Sequence, residues 1–245
     1  MKGIGKEFME KTRYEFAEPS DQERRLPQPP LALRPAAGQA LIDLPDASSL
    51  KAAPVDLRAL ITARRTLREY APDPLSLAEI SYLLWCTQGV KEMTPRPATL
   101  RTVPSAGARH AFETCLLANR VTGLKPGLYR FFAIEHKLAE VDTSPGVART
   151  LAAAALEQSH VEECAAAFLW TALTYRMKWR YGERGYRYLH LDAGHVCQNL
   201  ALAAEALHCG ICPIAAFDDT AINAALGLDG EEQFLIYMAT VGRRS

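Results

Sequence analysis

The segment from Tyr186 to His208 constrains the fold more than any other. Val196, Leu200, Ala203 and Leu207 recur in steps of four, three and four, which predicts one long amphipathic core helix that stops at Gly210. It is entered through "WRYGERGYRYLHLDAGH", Trp179 to His195, which crowds aromatic, basic and imidazole groups together before turning apolar. That block suits a nucleic-acid surface, a metal site or the wall of a redox pocket. Lys plus Arg is 28 and Asp plus Glu is 28, so no long-range field favours a polyanion, and nucleic acid is set aside. His190, Asp192 and His195 stand two, three and five apart and do not share one helical face, so no metal site is expected there.

The elements around this helix define the fold class. Pro54 opens a short helix, "VDLRALITARRT", with Leu57, Leu60 and Ile61 on one face. Ser76 and Glu79 have capping-box spacing ahead of Ile80, Leu83 and Leu84, which predicts a second short helix. "FETCLLANRV" and "GLYRFFA" are strand-like and joined by the turn-rich "TGLKPG", an antiparallel hairpin. An Ala-rich helix from about Gly146 to Gln158 leads to the apolar strand "AAFLWTALTYR". After the long helix come a strand, "ICPIAAF", a short helix behind Asp218 and Asp219, and a last strand, "FLIYMATVG". This order argues for an α+β fold with a mixed sheet.

Residues 1–54 form an extended N-terminal arm that wraps a neighbour or stays mobile, since 19–54 holds seven of the fifteen prolines with little periodicity. Residues 55–245 form the domain. The start of the chain has no apolar signal core, no stretch reaches membrane-span length, and six scattered cysteines fit a reducing compartment, so a cytoplasmic protein is expected. Cys209 and Cys212 make a single CxxC, which lacks a second pair for a four-ligand zinc site.

Common phosphate-loop, dinucleotide, nucleophile-elbow and zinc-protease motifs are absent. Two arginine clusters carry more information. Arg64, Arg65 and Arg68 end the first helix, with Thr66 among them, and Arg243 and Arg244 follow the last strand. Brought together, they could hold a phosphate by charge-assisted hydrogen bonds worth about 1.5–3 kcal/mol each; apart, they are solvated surface charge. "RTVPSAGARH" contains Pro104, Ser105, Ala106 and Gly107, and "CPIAAFDD" contains Ala215 and Ala216. Both are small-residue segments where backbone can approach a flat ligand, or simple loops.

In this order the blocks "RRTLREY", "PLSLAEISYLLWCTQGV", "RTVPSAGARH", "GLKPGLYRF", "YGERGYRYLHLDAGHVCQNLALAAEAL", "IAAFDD" and "YMATVGRR" resemble the FMN-dependent nitroreductase superfamily, in its SagB-type dehydrogenase branch of azoline-oxidising enzymes. The resemblance implies a nitroreductase-like, largely antiparallel sheet flanked by helices, in a homodimer with two interfacial FMN sites. It implies that Arg64, Arg65, Thr66 and Arg68 hold the phosphate and ribityl chain, completed by Arg243 and Arg244. Pro104, Ser105, Ala106 and Gly107 would come from the other subunit against the ring, and Ala215 and Ala216 would set backbone groups beside its reactive edge. The activity implied is ping-pong hydride transfer from NAD(P)H to a small-molecule electrophile such as a quinone, nitroaromatic or enone. Alternatives are dehydrogenation of an azoline-containing peptide, which needs a cyclodehydratase partner, and a flavin-binding module without turnover. Azoline-oxidising relatives carry Lys-Tyr ahead of the "YGERGYRY"-like block, whereas this chain has Arg180-Tyr181. Arginine stays charged where lysine can serve as a base, so azole formation is in doubt, while Tyr181 can still exchange a proton.

Overall fold

The computed structural model describes residues 3–51 and 54–244; both ends of the chain and residues 52–53, beside the expected boundary at 54, lie outside the described residues. The helices are α1 (Ile4–Lys11), α2 (Leu57–Ala63), α3 (Leu77–Gln88), α4 (Val147–Ala154), α5 (His160–Glu163), α6 (Thr174–Tyr181), α7 (Gly185–Ala206) and α8 (Asp219–Leu226). The strands are β1 (Ile42–Asp43), β2 (Leu75–Ser76), β3 (Val90–Thr94), β4 (Ala98–Arg101), β5 (Phe112–Ala118) and β6 (Val121–Thr122). They continue with β7 (Gly127–Phe132), β8 (Lys137–Asp142), β9 (Ala166–Leu173), β10 (Cys209–Ile214) and β11 (Gln233–Arg243).

Seven strands form one sheet in the order β1-β8-β7-β5-β9-β11-β10, each neighbouring pair antiparallel. Two-stranded pairs, β2-β6 (parallel) and β3-β4 (antiparallel), stand beside it. The architecture is therefore the α+β, largely antiparallel sheet with flanking helices expected from the sequence.

Strands in the middle of the sheet are apolar on both faces because helices cover both. Phe112 and Leu116 of β5 join Phe168, Trp170, Leu189, Val196 and Leu200 in one layer under α3 and α7. Cys115 and Leu117 join Leu151, Val161, Ile222 and Met238 in the opposite layer under α4, α5 and α8. Trp170 and Leu200 have no exposed surface, and each such side chain contributes about 1.5–3 kcal/mol by burial. The capping box forms as spaced: Ser76 Oγ accepts from the Glu79 amide and Glu79 accepts from the Ser76 amide.

Four elements differ from the sequence expectation. α7 ends at Ala206 with left-handed backbone at His208, and Gly210 lies inside β10 instead of stopping the helix. The apolar strand ends at Leu173 and not at Arg176. Thr174–Tyr181 is helical because Tyr175 faces solvent while Arg176 and Met177 turn inward, and Gly182 at φ 52° ends the turn. β8 and the β3-β4 hairpin are additional strands. β11 reaches Arg243, so that arginine is the last residue of a strand rather than the first beyond it.

The arm lies on its own chain. β1 pairs with β8 at the sheet edge, and the stretch from Met9 to Leu33 crosses α6 and the start of α7. Its backbone carbonyls accept from side-chain donors: Thr12 from Arg184 at 2.7 Å, Leu26 from Trp179 Nε1 at 3.0 Å, and Pro30 from Arg176 at 2.9 Å. Arg184 also stacks 4.0 Å from the Tyr14 ring centre, and the Tyr14 and Tyr188 hydroxyls meet at 2.9 Å. Much of the aromatic and basic block at 179–188 thus holds the arm in place. Among the described residues no helix is long and apolar enough to cross a membrane.

Candidate functional site

The segment that carries the first arginine cluster packs along β10 and β11, beside the strand end that carries Arg243. Thr66 bridges Ile211 in parallel, and the Leu67 amide donates to the Ile211 carbonyl at 2.8 Å. The chain then crosses β10 and β11, and the Ala71 amide donates to the Arg243 carbonyl at 3.1 Å. That crossing needs glycine beneath it. A Cβ on Gly210 would lie 2.6 Å from Leu67 Cδ2, and one on Gly242 would lie 2.6 Å from the Tyr70 ring. Cys209 pairs with Arg243 in the ladder, so the sheet itself ties the second cluster to the first.

The clusters are not chemically alike. Arg64, Arg65 and Arg68 form no ion pair among the described residues and lie at the surface. Arg68 is close enough to lower the proton affinities of His160 and Cys212, although burial is the main cause of the low His160 value and drives the Cys212 thiol up. Arg243 is already engaged. Its Nη2 contacts both Glu79 carboxylate oxygens at 2.7 and 2.8 Å, and its Nη1 donates to the Leu207 carbonyl at 3.1 Å. Arg244 pairs with Glu205. The first cluster is therefore free of carboxylates, with Arg68 against the Cys212 thiol, whereas the second is oriented by carboxylates. This donor set fits a phosphate at Arg64, Arg65 and Arg68. Ala215 and Ala216 follow the far end of β10 and are exposed; the Ala216 carbonyl accepts from Gln158 Nε2 at 2.8 Å.

A second group gathers around Gly107. The Pro104–Gly107 loop leads into a single helical turn, and Gly107, Ala108 and His110 all have left-handed backbone. At Gly107 the conformation is also enforced by crowding: a Cβ would stand 2.5 Å from the Tyr181 hydroxyl and 2.8 Å from Arg180 Cδ and Nε. The loop is held at its other end. Ser105 Oγ accepts from the His110 amide at 2.9 Å, and Asp192 Oδ1 accepts from the Ala106 amide at 3.2 Å. Burial raises the Asp192 pKa, with Ser105 and the Ala106 amide opposing, and its Oδ2 has no partner.

Asp192 sits in the second turn of α7, which begins at Gly185, one residue before the expected start. His190 and His195 are exposed, unlike the buried Asp192. Composition and spacing did not single out Arg109 or His160, weighed Asp192 only as a metal ligand, and read Glu79 only as a helix cap. Arg109 stood inside the quoted loop, and the capping-box glutamate doubles as the Arg243 partner, a role no spacing rule reveals.

Within one chain the two groups stand apart. Asp192 and Glu205 mark the loop end and the arginine end of α7, and at about 1.5 Å per residue they are about 20 Å apart along the axis.

Comparison with known proteins agrees with the fold. The nitroreductase family model matches residues 61–243. A nitroreductase-type protein of Methanocaldococcus jannaschii is 32% identical over 203 residues, covering 83% of this chain and 96% of that protein. A nitroreductase-type crystal structure from Anabaena variabilis superposes with a TM-score of 0.66 at 30% identity, over 78% of this chain and 38% of that one. A chain of the E. coli microcin synthetase McbBCD complex, with truncated pro-MccB17 bound, superposes with a TM-score of 0.63 at 17% identity. That match spans 99% of this chain and 92% of the other and shows a shared fold.

Proposed function

The chain belongs to the nitroreductase family, and from that premise we propose that this oxidoreductase carries FMN in a site shared by two copies of itself and passes hydride from NAD(P)H to a small electrophile. The observation that carries the reading is that the segments of two distant arginine clusters lie side by side at the Arg243 end of the β10-β11 pair, with Arg64, Arg65 and Arg68 free of carboxylates. The separation of about 20 Å between that end and the Gly107 loop favours a site completed by a second copy.

FMN, when bound, supplies hydride acceptance and donation; the protein supplies position and charge. Arg64, Arg65, Thr66 and Arg68 would hold the phosphate and ribityl chain, and Arg243 and Arg244, set by Glu79 and Glu205, would complete the positive end. Exposed backbone at Ala215 and Ala216 would donate to the ring, and Pro104 to Gly107 of the second copy would close over it. Small residues in both segments let backbone come within hydrogen-bond or stacking distance. The Tyr181 hydroxyl, against Gly107, would give or take the proton that accompanies reduction of a quinone, nitro group or enone.

A second reading has a specific observation in its favour, since the superposition on the microcin synthetase chain spans nearly the whole protein. Under it the chain dehydrogenates an azoline-containing peptide beside a cyclodehydratase. Arg180 weighs against it, because a guanidinium does not deprotonate near neutral pH. Azoline oxidation by the parent would support the peptide reading, whereas a gain of it in Arg180→Lys that the parent lacks would mark Arg180 as the specificity switch.

The main test is the visible spectrum of the purified protein, followed by anaerobic NADH or NADPH. The expected result is a bound flavin that one nicotinamide bleaches. A colourless protein that takes up no FMN refutes the reading. Bound flavin that neither reductant bleaches leaves peptide dehydrogenation or flavin binding without turnover.

A further inference from the structure

We infer that Arg109 and Arg180, anchored on either side of Gly107, form a subsite for the carboxylate of an anionic substrate. This deepens the oxidoreductase reading, and it rests on that reading for the claim that the anion belongs to a substrate.

Arg109 Nε donates to the Gly107 carbonyl at 3.0 Å, and Arg180 Nε lies 2.8 Å from where a Gly107 Cβ would stand. One glycine thus brings two guanidiniums together. Each lies over an aromatic ring: Arg109 is 5.4 Å from the Trp179 ring centre and Arg180 is 5.6 Å from that of Tyr181. Arg109 is only 5% exposed, and Arg180 is half-buried with an Nη1 that has no partner.

Arg96 is a further cation near Arg109, and the cations on α6 and at the start of α7 have partners. Arg176 lies 2.6 Å from Glu113, Lys178 faces Glu183 at 3.8 Å, and Arg184 and Arg187 donate to the arm at Thr12. Arg109 and Arg180 pair with no carboxylate among the described residues. Burial depresses the Arg109 pKa and Arg180 depresses it further, so the two charges repel where water screens them poorly. Stacking on aromatic faces offsets part of that cost, and an anion would offset more.

Carboxylate suits the place better than phosphate. Arg109 has committed its Nε to the loop, and the remaining donors lie against flat apolar walls, an arrangement that fits a planar anion on a conjugated body. Tyr181 is in contact with the same glycine, so a carboxylate held there would set the attached unsaturated group beside the hydroxyl named above as proton donor.

The test is calorimetric titration of the purified protein, after incubation with FMN, with benzoate, benzamide and phenyl phosphate. Benzoate should bind at least about tenfold tighter than benzamide, as one charge-assisted contact would give. Arg180→Gln should abolish that preference, and Arg109→Gln should weaken it. Equal binding of benzoate and benzamide to the parent overturns the proposal, whatever the variants do. A carboxylate supplied by a second copy of the chain would produce that result. Preference for phenyl phosphate overturns the assignment to a carboxylate, and a benzoate preference that survives Arg180→Gln overturns the assignment to this pair. The visible spectrum of the same sample tests the flavin reading separately. Flavin without discrimination sinks the subsite alone, and discrimination without flavin sinks the cofactor reading while leaving the carboxylate site standing.

Discussion

His110 makes the protein lose stability in mild acid in a way one substitution can isolate. It is 5% exposed, its amide donates to Ser105 Oγ, and burial, reinforced by Arg101 and Arg109, lowers its pKa from 6.5 to about 3, with a hydrogen bond to Thr99 opposing. The folded protein therefore keeps the ring neutral where the unfolded chain protonates it. Between those values the unfolded state binds more protons, so stability rises with pH; the contribution is complete above 6.5 and is lost as pH falls toward 3. At about 1.36 kcal/mol per decade the full loss is about 5 kcal/mol, of which about 2.5 kcal/mol falls between about pH 7.5 and about pH 4.5. His110→Asn removes the titration and keeps a side chain that tolerates the left-handed backbone at φ 42°. Urea unfolding at both pH values should give the parent a steeper decline than the variant by about 2.5 kcal/mol. Parallel declines would refute the argument, because removing the ring would then have removed no linked proton.

Other perturbations test the remaining contacts. Gly242→Ala should cost about 1–3 kcal/mol in urea unfolding and reduce retained flavin, since the Tyr70 hydroxyl is bound to the Leu67 carbonyl and Thr240 and the ring cannot swing away. Arg243→Ala should lower the FMN left after dialysis, and unchanged flavin content would count against its place at the phosphate. Glu113→Gln should destabilise by about 3–5 kcal/mol, because Arg176 would stay buried without its carboxylate; a loss below about 1 kcal/mol would show that the pair contributes little. That contact has ion-pair distance without hydrogen-bond angle, so charge rather than directionality holds it.

The α+β class, the long helix, the capping box and the hairpin were legible in the sequence because each rests on local periodicity or spacing, a property of contiguous residues. The turn of the chain at Leu173 was not, since a continuous apolar run has no period and only packing against α7 makes Thr174–Tyr181 a helix. The block around Trp179 had the composition of a binding surface. Folding divides it: Trp179, Arg184 and Arg187 serve the arm, while Arg180 and Tyr181 meet Gly107.

The sequence by itself determined which side chains were available, two arginine clusters, small-residue loops and the Arg180-Tyr181 pair ahead of the long helix. Tertiary structure alone decided their partners. Glu79 lies 164 residues from Arg243, and Arg109 meets Arg180 only because left-handed backbone at Gly107 admits both. Such contacts depend on where the sheet and α7 deliver distant residues, and electrostatic energy follows that distance in space rather than distance along the chain.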